Sequence, residues 1–196
     1  MTRSRITDIA PSRLAQLNRG EAEASNLTEC LAVDFAALMQ CTLPSLGPQA
    51  LASMHAASGE GITRRMALAA RLLLAENGTR DLAALSRHPS DTVRGWACFM
   101  VGASEGLSLS DRLALIRPLA DDPHFGVREW AWLAMRTTIA AQLEAAIAAG
   151  ADGVMIEVHN NPEEALCDGE QSITPEQFHK IMITVKKYAE FENKVM

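Results

Sequence analysis

Three groups of residues in this 196-residue chain have types and spacings that could do chemistry. In Val154-Met-Ile-Glu157-Val-His159, strand alternation would send Glu157 and His159 to one side, with Val154, Ile156 and Val158 on the other. A carboxylate and an imidazole side by side can hold a proton or a cation, and a further carboxylate, Asp168, follows eleven residues on. Arg94 and Arg128 stand 34 residues apart in the same local register. Guanidinium groups so spaced can meet successive phosphates bidentately. The alternative is an internal ladder, in which Asp91 and Asp121 or Asp122 pair with those arginines. A balance of 14 Arg against 15 Asp and Glu through Glu144 accords with the ladder. The third group is Trp96, Trp130 and Trp132, whose rings could stack on a flat or cationic base. Trp96 and Trp130 are expected in the core because they recur at one repeat position. Trp132, whose counterpart is Cys98, is the candidate for an exposed face.

The elements that would position these residues follow from periodicity. Leu82-Ala-Ala-Leu-Ser-Arg-His-Pro89-Ser-Asp-Thr-Val-Arg-Gly-Trp-Ala97 aligns with Ile116-Arg-Pro-Leu-Ala-Asp-Asp-Pro123-His-Phe-Gly-Val-Arg-Glu-Trp-Ala131. Each copy reads as an apolar helix, a proline-bearing turn that carries His88 or His124, and a second helix opening on Val-Arg-x-Trp-Ala. Repetition at this period predicts stacked helical pairs, each burying its apolar face against its neighbours. Upstream, Ile62–Ala75 reads as the second helix of an earlier pair, with Asn77-Gly78 as its C-cap. Leu27, Leu31, Phe35, Leu38 and Met39 form one helical stripe over 27–39, and 50–57 is a weaker helix.

From Ala145 the pattern changes to a small-residue helix, a glycine turn and a β-branched run, as for a helix feeding a buried parallel strand. Thr174-Pro-Glu-Gln177 predicts a capping box. The helix after it is amphipathic through Phe178, Ile181, Met182, Val185 and Ala189. Cation usage changes over the same interval. All 14 arginines lie between Arg3 and Arg136, and all four lysines between Lys180 and Lys194. Solubility does not require such a split, so it marks two pieces of different origin. The reading is an array over 1–140 and a second piece over 141–196, with a single helix around Glu144–Ala149 crossing the joint.

The residues that carry the repeat, proline then Val-Arg then Ala, resemble a HEAT repeat. With Asn18-Arg-Gly-Glu-Ala-Glu-Ala24 and Thr28-Glu-Cys-Leu-Ala-Val-Asp-Phe35, the first 140 residues resemble the DNA alkylation repair family. That resemblance implies a solenoid holding duplex DNA on a concave face, with Arg94, Arg128 and Trp132 as contacts. It also implies a kinship with glycosylases, without a cofactor, and further repeats beyond those seen here. No general base stands out among the residues.

The string from Gly150 to Phe178 resembles the last strand, loop and helix of 3-deoxy-7-phosphoheptulonate synthase, a (β/α)₈ barrel enzyme. The resemblance implies that Glu157 and Asp168 are ligands of a divalent metal such as Mn²⁺, and oxygen donors suit such an ion. Two carboxylates leave its sphere half filled, and the family's Cys and His ligands belong to earlier strands. Cys167 is not the missing cysteine.

A composition of 48% hydrophobic and 21% charged residues describes a folded domain, and the net charge of −6 excludes a strong overall field for nucleic acid. There is no 18-residue apolar run and no signal-peptide pattern at the start, and the four cysteines show no metal spacing. A cytoplasmic protein with reduced thiols and no membrane partner is expected. The fold expected is mainly α, a HEAT-like solenoid of helical pairs with a C-terminal βα-type appendage. The functional expectation is a DNA-contacting protein of the alkylation repair type. The alternatives are the C-terminal piece of a synthase, inactive alone, and a non-catalytic scaffold for a protein partner.

Overall fold

The computed structural model describes residues 9–141, 156–164 and 172–191, and among these the chain is mainly helical. It forms two compact units, Met1–Thr137 and Thr138–Met196.

In the first unit, α1 (Pro11–Asn18) starts on a proline at its first position and ends at Arg19-Gly20, with Gly20 at φ +72°. A side chain at Gly20 would be strained by that angle and would press on Thr42, His88 and Leu38. The stripe expected as one helix over 27–39 is two helices, α2 (Leu27–Ala32) and α3 (Phe35–Thr42). The cause is Asp34, whose carboxylate accepts from the Ala36 and Ala37 amides at 3.0 and 3.1 Å and caps a new helix. The Leu31 and Val33 carbonyls freed at the break accept from Arg65 Nη2 and Nη1 at 3.3 and 3.2 Å. The stripe divides with the helix: Phe35, Leu38 and Met39 are buried, whereas Leu27 and Leu31 are exposed.

The next helices are α4 (Pro48–Ala56), α5 (Ile62–Asn77) and the single turn α6 (Leu82–Leu85). Gly78 closes α5 at φ +59°, its amide donating to the Leu74 carbonyl at 2.9 Å, as the Asn-Gly pair predicts. Met66, Ala69, Ala70 and Leu73 form its buried stripe. α7 (Asp91–Ala103) is the centre of the unit. Residues 91–101 are all buried, and α7 packs on α5, α6 and α8 (Leu109–Ala120).

α9 (Phe125–Ala141) meets α7 through small residues. A methyl at Gly95 would overlap the Trp130 ring, and one at Gly102 would overlap the Ala134 backbone. Since 95 meets 130 and 102 meets 134, the two helices run in the same direction. Trp96 and Trp130 are both in the core, as their repeat position implies.

The second unit contains the 3₁₀ turn Pro162–Glu164 and α10 (Pro175–Phe191). The buried strand expected over 154–159 is reduced, in its described part, to one parallel bridge between Val158 and Ile173. Val158 is 42% exposed, as fits a bridge with a single partner instead of a strand between two neighbours. Residues 154 and 155, the helix expected at 144–149 and Asp168 lie outside the described residues.

Candidate functional site

The 34-residue repeat has a concrete structural meaning at its turns. His88 Nδ1 accepts from the Ser90 amide at 3.0 Å, and one repeat later Asp122 Oδ1 accepts from the His124 amide at 2.8 Å. Arg94 Nη1 donates to the His88 and Pro89 carbonyls at 2.7 and 3.1 Å. Arg128 Nη1 does the same for Asp122 and Pro123, at 2.7 and 2.9 Å. The arginine of each Val-Arg step thus clamps the turn that precedes its own helix.

Arg94 has no donor left over. Its Nε and Nη2 reach Asp122 at 2.8 and 3.1 Å, and Nη2 also pairs with Glu23. All five N–H groups are engaged, and the residue is 7% exposed. Burial works against the charge, but the hydrogen bonds that Arg94 donates to Asp122 and Glu23 hold the guanidinium pKa above its ordinary value.

Residues 20–26 cross this surface as a strap. The Ala24 amide donates to Asp91 Oδ1 at 3.1 Å, and the Ala24 carbonyl accepts from His124 Nε2 at 2.6 Å. Arg13 ties the strap down through the Glu23 carbonyl, Ser25 Oγ and the Glu29 carboxylate. The Arg94 end of an arginine ladder is therefore occupied by the protein itself. The Asp–Arg reading holds for Arg94 and Asp122, whereas Asp91 serves the strap. Arg128 is exposed and Trp132 half-buried.

In the second unit, the Ile173 amide donates to the Glu157 carbonyl, and the His159 amide donates to the Ile173 carbonyl, both at 2.9 Å. Thr174 and Gln177 make the predicted capping box. The Thr174 amide donates to Gln177 Oε1 at 2.8 Å, and the Gln177 amide to Thr174 Oγ1 at 3.3 Å. His159 Nδ1 accepts from the Asn161 amide at 3.0 Å, so in the neutral ring the proton is on Nε2. The Glu157 side chain is exposed. Among the described residues no three His, Cys, Asp or Glu side chains lie close enough to hold a metal ion. Of the two carboxylates that the synthase resemblance implies as ligands, Glu157 is described and Asp168 lies outside the described residues.

Comparison with known proteins agrees with the character of this second piece. The DAHP synthetase I family matches residues 100–193, just under half of the chain. A phospho-2-dehydro-3-deoxyheptonate aldolase of Thermotoga maritima is 40% identical over 72 residues, which is 37% of this chain and 19% of that protein. A 2-dehydro-3-deoxyphosphooctonate aldolase of Desulfosudis oleivorans is 55% identical over 38 residues, 19% of this chain and 14% of the relative. One from Pelobacter propionicus is 50% identical over 42 residues, 21% and 15% of the two chains. The chain thus spans less than a fifth of the length of these relatives. No solved structure matches.

These matches overturn the expectation of a HEAT-repeat DNA-binding or alkylation repair protein: the similarity runs to the DAHP synthetase I family and to the two kinds of aldolase just named. The family match also begins at residue 100, well upstream of the change in sequence style at Ala145, and takes in α8 and α9. Among the described residues no helix is long and apolar enough to cross a membrane.

Proposed function

We propose that residues 100–193 form a segment of an aldolase of the type that condenses phosphoenolpyruvate with a phosphorylated aldose, erythrose 4-phosphate being the one the synthase resemblance implies. The observation that carries this reading is the family match over 100–193. The segment's role would be to supply the last strand, loop and helix of the catalytic barrel. In that setting Glu157 and Asp168 are the candidate ligands of a divalent metal that would polarise substrate oxygens. The bridge at Val158 and Ile173 holds the Glu157 carbonyl and the backbone that follows it.

The test is complementation. The Thermotoga maritima relative is truncated before the 72 residues matched here and mixed or co-expressed with the full 196-residue chain. Condensation is followed by loss of phosphoenolpyruvate. The expected result is no turnover from either partner alone and recovered turnover from the pair, lost with Glu157→Ala. A pair as inactive as its parts would overturn the proposal. Turnover by the 196-residue chain alone would overturn the view that it supplies only a segment.

A further inference from the structure

His88 stands where the next repeat has Asp122, and both side chains accept the amide two residues on, from Ser90 and His124. The His88 acceptor is the one that a proton abolishes in the physiological range. Its ring also lies against Gly20, the left-handed glycine at which the strap leaves α1. The charged and titratable groups around it come from every neighbouring segment. Arg94 of α7 binds the His88 carbonyl, Glu23 of the strap and Asp122 after α8 both hold Arg94, and Asp91 and His124 fix Ala24.

We propose that His88 is a pH-sensitive release for the strap at residues 20–26. Protonation at Nδ1 removes the acceptor of the Ser90 amide and sets a cation beside Arg94, the residue that holds Glu23. The strap then lifts from the amino-terminal ends of α7 and α9 as pH falls through the histidine range. The neutral ring is the form the fold favours, since burial and the Arg94 charge both lower the His88 pKa. Asp91 and Asp122 do not cancel the effect, because each carboxylate is engaged elsewhere, on Ala24 and on Arg94.

The test is amide hydrogen exchange of the full chain, corrected for intrinsic rates, at pH 7.5 and 5.5. Protection of the Ala24 and Ser25 amides is expected to fall several-fold, with about tenfold as the ceiling for one proton, while Ala69 and Ala70 in α5 hold theirs. His88→Asn, which keeps an acceptor without a titrating ring, should reduce the strap's loss to less than about twofold. Unchanged strap protection in the wild type, an equal loss in α5, or the same loss in His88→Asn would each overturn the proposal. If His88→Asn does not fold, the wild-type His88 ring is titrated by NMR instead. Its midpoint must coincide with the loss of strap protection, and a separate midpoint rejects the switch.

Discussion

Arg94 and Asp122 meet in a two-pronged ion pair across 28 residues of sequence, Nε to Oδ2 at 2.8 Å and Nη2 to Oδ1 at 3.1 Å, with both side chains under a tenth exposed. Removing one side of a buried pair leaves the other charged and desolvated, a cost of about 3 to 5 kcal/mol. Arg94 also caps two carbonyls and holds the strap through Glu23, so Arg94→Ala should lie at the upper end of that range. Urea unfolding followed by circular dichroism would report it as a lower midpoint with little change in slope. A loss under about 1 kcal/mol would mean that Arg94 is not the clamp described.

Much of the helical content was legible in the sequence, because local signals carry it. Asn77-Gly78, the capping box at Thr174 and the buried stripe of α5 all depend on residues within one turn of each other. What was not legible is non-local. Nothing in Glu23-Ala24 announces partners 67 and 100 residues away, yet Ala24 joins Asp91 to His124. The 34-residue period identified Arg94 and Arg128 as equivalent, but the same pattern serves a phosphate-facing ladder and a clamp on a turn. Only the partners of the guanidinium separate the two. The division of the 27–39 stripe was available in principle, since Asp34 is a strong N-cap, but unbroken apolar spacing outweighed it. In the second piece, the match to aldolases follows the resemblance carried by Gly150–Phe178. The apolar alternation around Glu157 overstated the strand, because a strand needs neighbours that a local pattern does not contain.

The contact between Gly95 and Trp130 predicts a steric penalty with a known direction. Gly95→Val adds three carbons where even one would overlap the indole ring. Overpacking of this kind costs about 1 to 3 kcal/mol, and α7, buried along residues 91–101, has little room to shift. The substitution should also change the fluorescence of the folded protein through Trp130, whereas the same change at Gly106, with nothing within 4 Å of an added carbon, should leave it unaltered.

Arg13 and Glu29 predict the acid response of the strap's outer anchor. Glu29 accepts from Arg13 Nη2 at 2.7 Å and from the Ser25 amide at 2.8 Å, and the Arg13 bond holds its pKa below the ordinary carboxylate value. A carboxylate whose pKa is lowered on folding stabilises the fold fully above its unfolded value. That contribution disappears as pH falls through the lower, folded value. Glu29→Gln should therefore weaken the protein at pH 7 and flatten the acid side of its stability profile below about pH 4.5. Parallel acid limbs for the variant and the wild type would contradict this.

The cysteines should separate by reactivity. Cys30 and Cys98 are buried, and burial, reinforced by Asp91 for Cys30 and Asp122 for Cys98, pushes both thiols up to about 12. Cys41 is exposed at the end of α3. Since the thiolate is the reactive form, brief alkylation at pH 8 followed by peptide mapping should modify Cys41 and spare Cys30 and Cys98 until denaturant is added. Early labelling of Cys30 would mean that α2 opens in the native protein.

Thr174 links the two described parts of the second unit. Its neighbour Ile173 forms the bridge to Val158, and its own side chain starts α10. Thr174→Ala removes the acceptor for the Gln177 amide while the backbone amide at 174 can still donate to Gln177 Oε1, a loss of about 1 kcal/mol. Pro175 at the first position still favours a helix there, so α10 should fray and not vanish. The expected result is faster hydrogen exchange at Gln177 and Phe178, with α5 of the first unit unaffected. Because the bridge holds the backbone beside Glu157, the same variant should weaken complementation of the truncated aldolase less severely than Glu157→Ala. Thr174→Ser, which keeps the hydroxyl, should restore both the exchange protection and the complementation. If it restores neither, the methyl group and not the cap is what matters at this position.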